Sequence, residues 1–123
     1  MALFADDDDR VAFLWLLRRT AGMFGWTCHA YCLMDTHYHL VLETQQSLLS
    51  RGMHRLNGIY AQRYNERYER AGHLFEGRFS AYVVGSQEHL AAAASYVLAN
   101  PVRAGLCAGP DDWSWNGVGL EPV

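Results

Sequence analysis

MDTHYHLVLE, residues 34–43, places two histidines one residue apart at the start of an apolar run. Side chains on a β-strand alternate between its two faces, so His37 and His39 point the same way, with Cα atoms about 7 Å apart. Tyr38, Leu40 and Leu42, which alternate with the histidine side, point to the opposite face. The pattern predicts a strand packed on both faces of a sheet, with two imidazoles at the start of one face.

The rest of the chain has the periodicity of further helices and strands. The predicted elements are a helix over 6–25, strands over 26–34 and 37–44, a helix over 47–70, a strand over 79–85 and a helix over 86–100. Ser86 is the predicted N-cap of the last helix, and Pro101 is expected to stop it. The tail from Pro101 is turn-rich and anchored by Trp113 and Trp115. This order indicates an α+β domain over 1–123, with helices on one face of an antiparallel sheet.

The first predicted helix opens with four consecutive aspartates. An aspartate caps the helix and the others suit its dipole, so we interpret Asp6–Asp9 as a solvated cap. Gly22 or Gly25 is expected to end the helix. The predicted apolar face includes Val11, Leu14, Trp15 and Leu17.

The composition limits the class of protein. A chain of 123 residues, half of them hydrophobic, can form one domain with a modest core. No apolar stretch approaches the roughly 20 residues that span a bilayer, and no secretory signal is apparent. The three cysteines do not suggest a disulfide framework and fit a reducing cytoplasm.

The net charge of −3 argues mildly against a nucleic-acid partner, but the charge is unevenly distributed. The chain has no lysine, and six of its ten arginines lie between positions 51 and 78. A basic middle segment and an acidic start therefore make the average charge misleading.

The paired histidines have two interpretations. Two imidazoles at this spacing can converge on one metal ion, or they can be half-buried and bonded to their neighbours. A zinc site that adds Cys28 and Cys32 is disfavoured, because residues four apart on a strand have Cα atoms about 13 Å apart. The two cysteines are better interpreted as small buried hydrophobic residues.

The last predicted helix carries a second polar pair. Tyr96 and Asn100 are four residues apart, so they share a helix face and offer a phenol and an amide oxygen. From spacing alone, a core tyrosine and a helix-stopping asparagine before proline remain the ordinary alternative.

Three stretches, taken in order, resemble the single-tyrosine HUH transposases. They are HAYCLMDTHYHLVLET (29–44), LNGIYAQRYNERYERAGHLFEGRFSAYVV (56–84) and YVLANPVRAGL (96–106). The resemblance points to the branch of REP-associated tyrosine transposases, relatives of the smallest bacterial insertion-sequence transposases. It extends over about residues 6–116 and implies a ferredoxin-like sheet.

The resemblance implies a role for each residue that matches the family's motifs. His37 and His39 correspond to the HUH motif, Tyr96 to the nucleophile, and Asn100 to a third ligand of a divalent ion, Mg²⁺ or Mn²⁺. The implied activity is metal-dependent cleavage and joining of single-stranded or hairpin DNA through a 5′-phosphotyrosine. The alternative is a catalytically inactive relative that binds hairpin DNA and does not cut it.

The resemblance also implies a DNA-binding surface in the basic middle segment. The candidate phosphate contacts are Arg51, Arg55, Arg63, Arg67 and Arg78, with Arg78 the strongest single choice. The alternative for each arginine is a solvated helix face over a tyrosine core.

The chain departs from the family at its start. Relatives usually have another strand ahead of the first helix, central in the sheet beside the histidine strand, whereas this sequence begins with MALFADDDD. The sheet is therefore expected to lack that strand, which leaves the histidine strand with an unpaired edge or closes the sheet up. A longer native protein, a decayed copy and a strand from a second subunit are the open explanations. A monomer and a homodimer both remain open, the homodimer through an exposed sheet edge.

Overall fold

The computed structural model describes residues 2–75, 78–83 and 87–123. Its elements are α1 (Asp7–Phe24), β1 (Thr27–Leu33), β2 (Tyr38–Glu43), α2 (Gln46–Arg67), β3 (Phe79–Val83), α3 (Gln87–Leu98), α4 (Asn100–Arg103), a 3₁₀ turn (Pro110–Asp112) and β4 (Asn116–Leu120). The predicted N-cap Ser86 lies outside the described residues. Among the described helices, none is both long and apolar enough to cross a bilayer.

The four strands form one sheet in the order β3-β2-β1-β4. The α+β class is confirmed, but the sheet is mixed: β1 is antiparallel to β2 and β4, whereas β2 and β3 are parallel. The expected fully antiparallel sheet is therefore wrong at one of its three pairings. The histidine strand β2 is paired along both edges, so the sheet closes up around it and leaves no unpaired edge there.

The helices lie on both faces of the sheet, which corrects the expected one-sided arrangement. Leu40 and Leu42 of β2 belong to the core cluster that also contains side chains of α1 and α2. Val41, between them, belongs to a second cluster with Val97 of α3. Because adjacent strand residues point to opposite faces, α3 covers the face opposite α1 and α2.

Helix α1 begins and ends as the sequence indicates and buries Leu17 as expected, but two other residues of the predicted apolar face are exposed. Asp6 caps it by accepting from the Asp9 N–H, and Gly25 ends it with a φ of 67°. Val11 and Trp15, predicted to be buried, are 57% and 50% exposed. The buried residues of this helix instead include Asp9, because ion pairs described below compensate for its burial.

The tail contains a strand that the sequence pattern did not predict. β4 pairs with β1, and the Leu33 N–H donates to the Trp115 carbonyl. The predicted anchor at Trp113 is confirmed, since its indole N–H donates to the Leu33 carbonyl at 3.0 Å. The predicted last helix ends at Leu98, before Pro101, and Pro101 lies in the first turn of the separate helix α4, a position where the missing N–H costs nothing.

Candidate active site

His39 lies in β2 and His37 immediately precedes it, and the two rings lie side by side, as the strand period predicts. The ring centroids of His37 and His39 are 4.8 Å apart, with planes inclined by 83°. The Nδ1 atom of His37 lies 3.1 Å from the Thr36 hydroxyl. Both ring nitrogens of His39 are buried, and neither has a hydrogen-bond partner among the described residues.

The surroundings of this pair favour neutral imidazoles. Burial, the neighbouring His37 and the charge of Arg103 lower the pKa of His39 to about 4. Burial and the charge of Arg78 also lower the pKa of His37. Both rings are therefore uncharged near neutral pH, the state in which an imidazole nitrogen can bind a metal ion.

Helix α3 covers the face on which His39 lies. Val97, fully buried, packs with Val41 of β2 and Cys32 of β1, and Cys32 is the antiparallel partner of His39. The preceding residue, Tyr96, lies at the border of this contact with a side chain that is 53% exposed. The fold thus places the predicted nucleophile on the helix that packs against the histidine face.

Asn100 and Tyr96 are joined by a residue that the sequence analysis did not single out. Nη2 of Arg103 donates to the Asn100 Oδ1 at 2.8 Å and to the Tyr96 carbonyl at 2.7 Å. The guanidinium carbon lies 3.8 Å from the centroid of the Tyr96 ring, within range of a cation–π contact. The same charge also contributes to the lowered pKa of His39, so Arg103 contacts Tyr96 and Asn100 and acts electrostatically on one of the two histidines.

The donor set fits a divalent cation in part. The unpartnered nitrogens of His39, the adjacent His37 ring and the Asn100 amide oxygen are the groups that could hold one. No group of three or more His, Cys, Asp or Glu side chains in the described part of the chain could hold a metal.

The two cysteines considered for zinc lie on opposite faces of the sheet. Cys28 belongs to the core under α1 and α2, whereas Cys32 packs under α3. A register shift between Cys28 and Ala30 explains why two residues four apart do not share a face. Both thiols are buried, as expected of small hydrophobic residues.

Two of the candidate DNA-binding arginines are paired within the chain. Arg63 and Arg67 of α2 donate to Oδ1 of Asp9 at 3.1 and 2.6 Å. Arg67 also donates to Asp6 at 2.6 Å, and the Tyr68 hydroxyl donates to Oδ2 of Asp9 at 2.7 Å. A phosphate would have to compete with these carboxylates for either guanidinium. The run of aspartates is thus only partly a solvated cap, because Asp9 is completely buried.

The other three candidate arginines lie elsewhere. Arg51 and Arg55 are exposed on α2, and Arg51 lies over the Phe24 ring at 5.8 Å. Nε of Arg78 donates to the Thr36 carbonyl at 2.9 Å, one residue before His37. Arg78 is therefore the candidate that borders the histidine pair.

Comparison with known proteins gives one match. A family model described as "Transposase IS200 like" matches residues 2–100, a range that contains both histidines, Tyr96 and Asn100. Neither a curated protein nor a solved structure matches the chain significantly.

Proposed function

Because the chain belongs to the IS200-like transposase family and so has a role in transposition of DNA, we propose that it is a metal-dependent single-strand endonuclease and strand transferase. Tyr96 is the nucleophile, and His37, His39 and Asn100 hold a divalent cation, Mg²⁺ or Mn²⁺. The substrate is single-stranded or hairpin DNA, and cleavage leaves a 5′-phosphotyrosine.

One observation above all supports this proposal. His39 presents two buried ring nitrogens without a partner among the described residues, on the face that the Tyr96 helix covers. Buried polar atoms normally have partners, so an unsatisfied neutral imidazole beside a second one suits a ligand that is bound during function.

The chemistry follows from the residue types. The Tyr96 oxygen attacks phosphorus and loses its proton, the new P–O bond to tyrosine forms, and the bond to the departing 3′ oxygen breaks. That oxygen takes up a proton as a 3′-hydroxyl, so the phosphoester count is unchanged and a second 3′-hydroxyl can reverse the step. A bound divalent ion supplies charge neutralisation at the phosphate, which otherwise repels a nucleophile.

Three arginines supply the DNA surface in this proposal. Arg78 borders the histidine pair and is the preferred contact to the scissile phosphate, while Arg51 and Arg55 extend the basic surface along α2. Arg63 and Arg67 have a smaller role, because Asp6 and Asp9 already neutralise them.

The test is a denaturing gel of end-labelled hairpin DNA incubated with the protein and Mn²⁺. The wild type is expected to give a slowly migrating covalent adduct that Tyr96→Phe abolishes and protease digestion removes. Tyr68→Phe is the control, because Tyr68 is also exposed but belongs to the α1–α2 side of the sheet. An adduct that persists in Tyr96→Phe would refute the role of that residue.

A hairpin-binding protein without cleavage activity is the second candidate. The observation that favours it is the hydrogen bond from Arg103 to Asn100 Oδ1, which occupies a proposed metal ligand. Salt-sensitive binding of the hairpin with no adduct at any Mn²⁺ concentration would support this alternative. Failure to bind any oligonucleotide at low or high salt would instead indicate a metal-binding domain without a role in DNA binding.

A further inference from the structure

We propose that Arg103 is a positioning residue whose guanidinium holds Asn100 Oδ1 in the metal-free chain and must release it before a divalent cation binds. The inference rests on the proposed function, because it assigns Asn100 to the metal. It adds a residue that competes with the metal and couples metal binding to DNA binding.

The geometry fixes the Asn100 side chain through both ends of its amide. Nδ2 donates to the Val97 carbonyl at 3.2 Å, so Oδ1 faces Arg103 and accepts from its Nη2 at 2.8 Å. The same Nη2 donates to the Tyr96 carbonyl, and the guanidinium lies over the Tyr96 ring. Arg103 therefore spans the proposed ligand and the proposed nucleophile with one charged group.

The charge of Arg103, a residue of α4, also acts on side chains of the sheet. It contributes to the lowered pKa of His39 and lowers that of Cys32 against the larger effect of burial, so the guanidinium lies close to the histidine face. An amide oxygen has two lone pairs, but a dication and a guanidinium bound to the same oxygen repel each other strongly in a partly buried site. Cation binding therefore favours a state in which Arg103 has left Asn100.

A DNA phosphate is the acceptor that suits the released guanidinium. Arginine binds phosphate through paired, charge-assisted hydrogen bonds, and the scissile phosphate must lie beside Tyr96 for the reaction to occur. Metal and DNA should then bind cooperatively, because each one favours the state in which Arg103 is released. In this scheme the cation binds weakly until DNA arrives.

The first test measures Mn²⁺ binding to the full chain by calorimetry without DNA. Arg103→Met removes the charge and the donor but keeps a long apolar side chain over Tyr96, and it is expected to bind Mn²⁺ about tenfold more tightly than wild type. Arg103→Lys keeps the charge and should remain near wild type. Arg19→Met is the matched control, because Arg19 also lies over an aromatic ring, that of Trp15, but on α1.

A double-mutant cycle assigns the effect to the shared oxygen. If Arg103 and the metal compete for Asn100 Oδ1, the gain from Arg103→Met should shrink severalfold when it is measured in an Asn100→Ala background. Binding of Mn²⁺ in the presence of the hairpin, measured in a Tyr96→Phe background so that no adduct forms, supplies a second readout. In that background DNA should tighten Mn²⁺ binding when Arg103 is present and should have a smaller effect when the Arg103→Met substitution is added.

The outcomes separate this inference from the function on which it rests. If wild type forms the Tyr96 adduct but Arg103→Met binds Mn²⁺ no more tightly, the competition is refuted and the proposed function stands. If neither protein binds Mn²⁺, with or without the hairpin, both proposals fail. An equal gain in Arg19→Met would show a general charge effect and would also overturn the inference.

Discussion

Replacing Asp9 with asparagine should destabilise the chain far more than the same change at a neighbouring aspartate. The Asp9 carboxylate has no solvent exposure and accepts four hydrogen bonds. Oδ1 accepts from Arg63 and Arg67, and Oδ2 accepts from the Ala5 N–H and the Tyr68 hydroxyl. Asparagine offers one acceptor oxygen, so its NH₂ group must face two of the four donors.

The magnitude follows from these contacts. A hydrogen bond to a charged group contributes about 1.5–3 kcal/mol, and the substitution loses two of them along with the charge. The side chains of Arg63 and Arg67 are 38% and 33% exposed, so water replaces part of the loss. We expect a decrease of about 3 kcal/mol in the free energy of unfolding, at the lower end for breaking a buried pair. For a chain of this size the melting temperature should fall by about 10 °C.

Urea unfolding followed by tryptophan fluorescence measures this loss. Asp8→Asn is the matched control, since it removes one negative charge from the same helix turn but has a side chain that is 83% exposed. It should cost less than about 1 kcal/mol. Equal losses in the two variants would refute the argument that burial and hydrogen bonding, rather than helix charge, give Asp9 its effect.

Three other predictions concern the stability and reactivity of the chain. Burial raises the pKa of Asp9, but its hydrogen bonds outweigh that effect and lower the pKa overall, so the stability they give is present above the ordinary aspartate pKa and is lost as pH falls through the lowered pKa. The melting temperature should therefore depend less on pH in Asp9→Asn than in wild type, and an equal dependence in the two proteins would contradict this. Gly52→Ala should destabilise the chain by about 1–3 kcal/mol, because a Cβ there would lie 2.2 Å from the Trp26 ring. Gly58→Ala, on the same helix, places its Cβ in open space and should stabilise the chain by up to about 1 kcal/mol. Thermal melts of the two variants should therefore show changes in melting temperature of opposite sign. Cys28, buried and with its pKa raised to about 12, should react with a thiol reagent only at the rate of unfolding, and rapid labelling of the folded chain would contradict its burial.

The parts of the fold that depend on local periodicity could be predicted. The alternation of side chains along β2 predicts correctly which of them lie on each face of the sheet, and Gly25 predicts the end of α1. Strand β4 could not be found this way, because Gly117 and Gly119 break its apolar pattern and its partner β1 is more than 80 residues away in the sequence. The parallel pairing of β2 with β3 likewise depends on how α2 crosses the sheet, which no short stretch of sequence encodes.

In the candidate site, too, the local features are predictable from sequence and the long-range contacts are not. His37 and His39 were identifiable because two residues on one strand need no tertiary information to share a face. Arg103 escapes the sequence analysis because a proline is expected to end a helix, whereas Asn100 and Pro101 here begin the short helix α4. Arg103 follows Asn100 by three residues in that helix, so the two side chains lie on one side of it. The burial of Asp9 was hidden because its arginine partners lie 54 and 58 residues away.

The two elements that carry the candidate site, the histidine strand β2 and helix α3, are held in place by different kinds of contact. The histidine strand is hydrogen-bonded to a neighbour on each side, while α3 rests on the sheet through Leu90, two alanines and Val97. Alanines present a smooth surface with few interlocking projections, so a shift of this helix disturbs less packing than a shift of the strand. Enlarging Ala93 or Ala94 would therefore shift α3, and Tyr96 with it, relative to the histidine strand while leaving the strand pairing of the sheet in place.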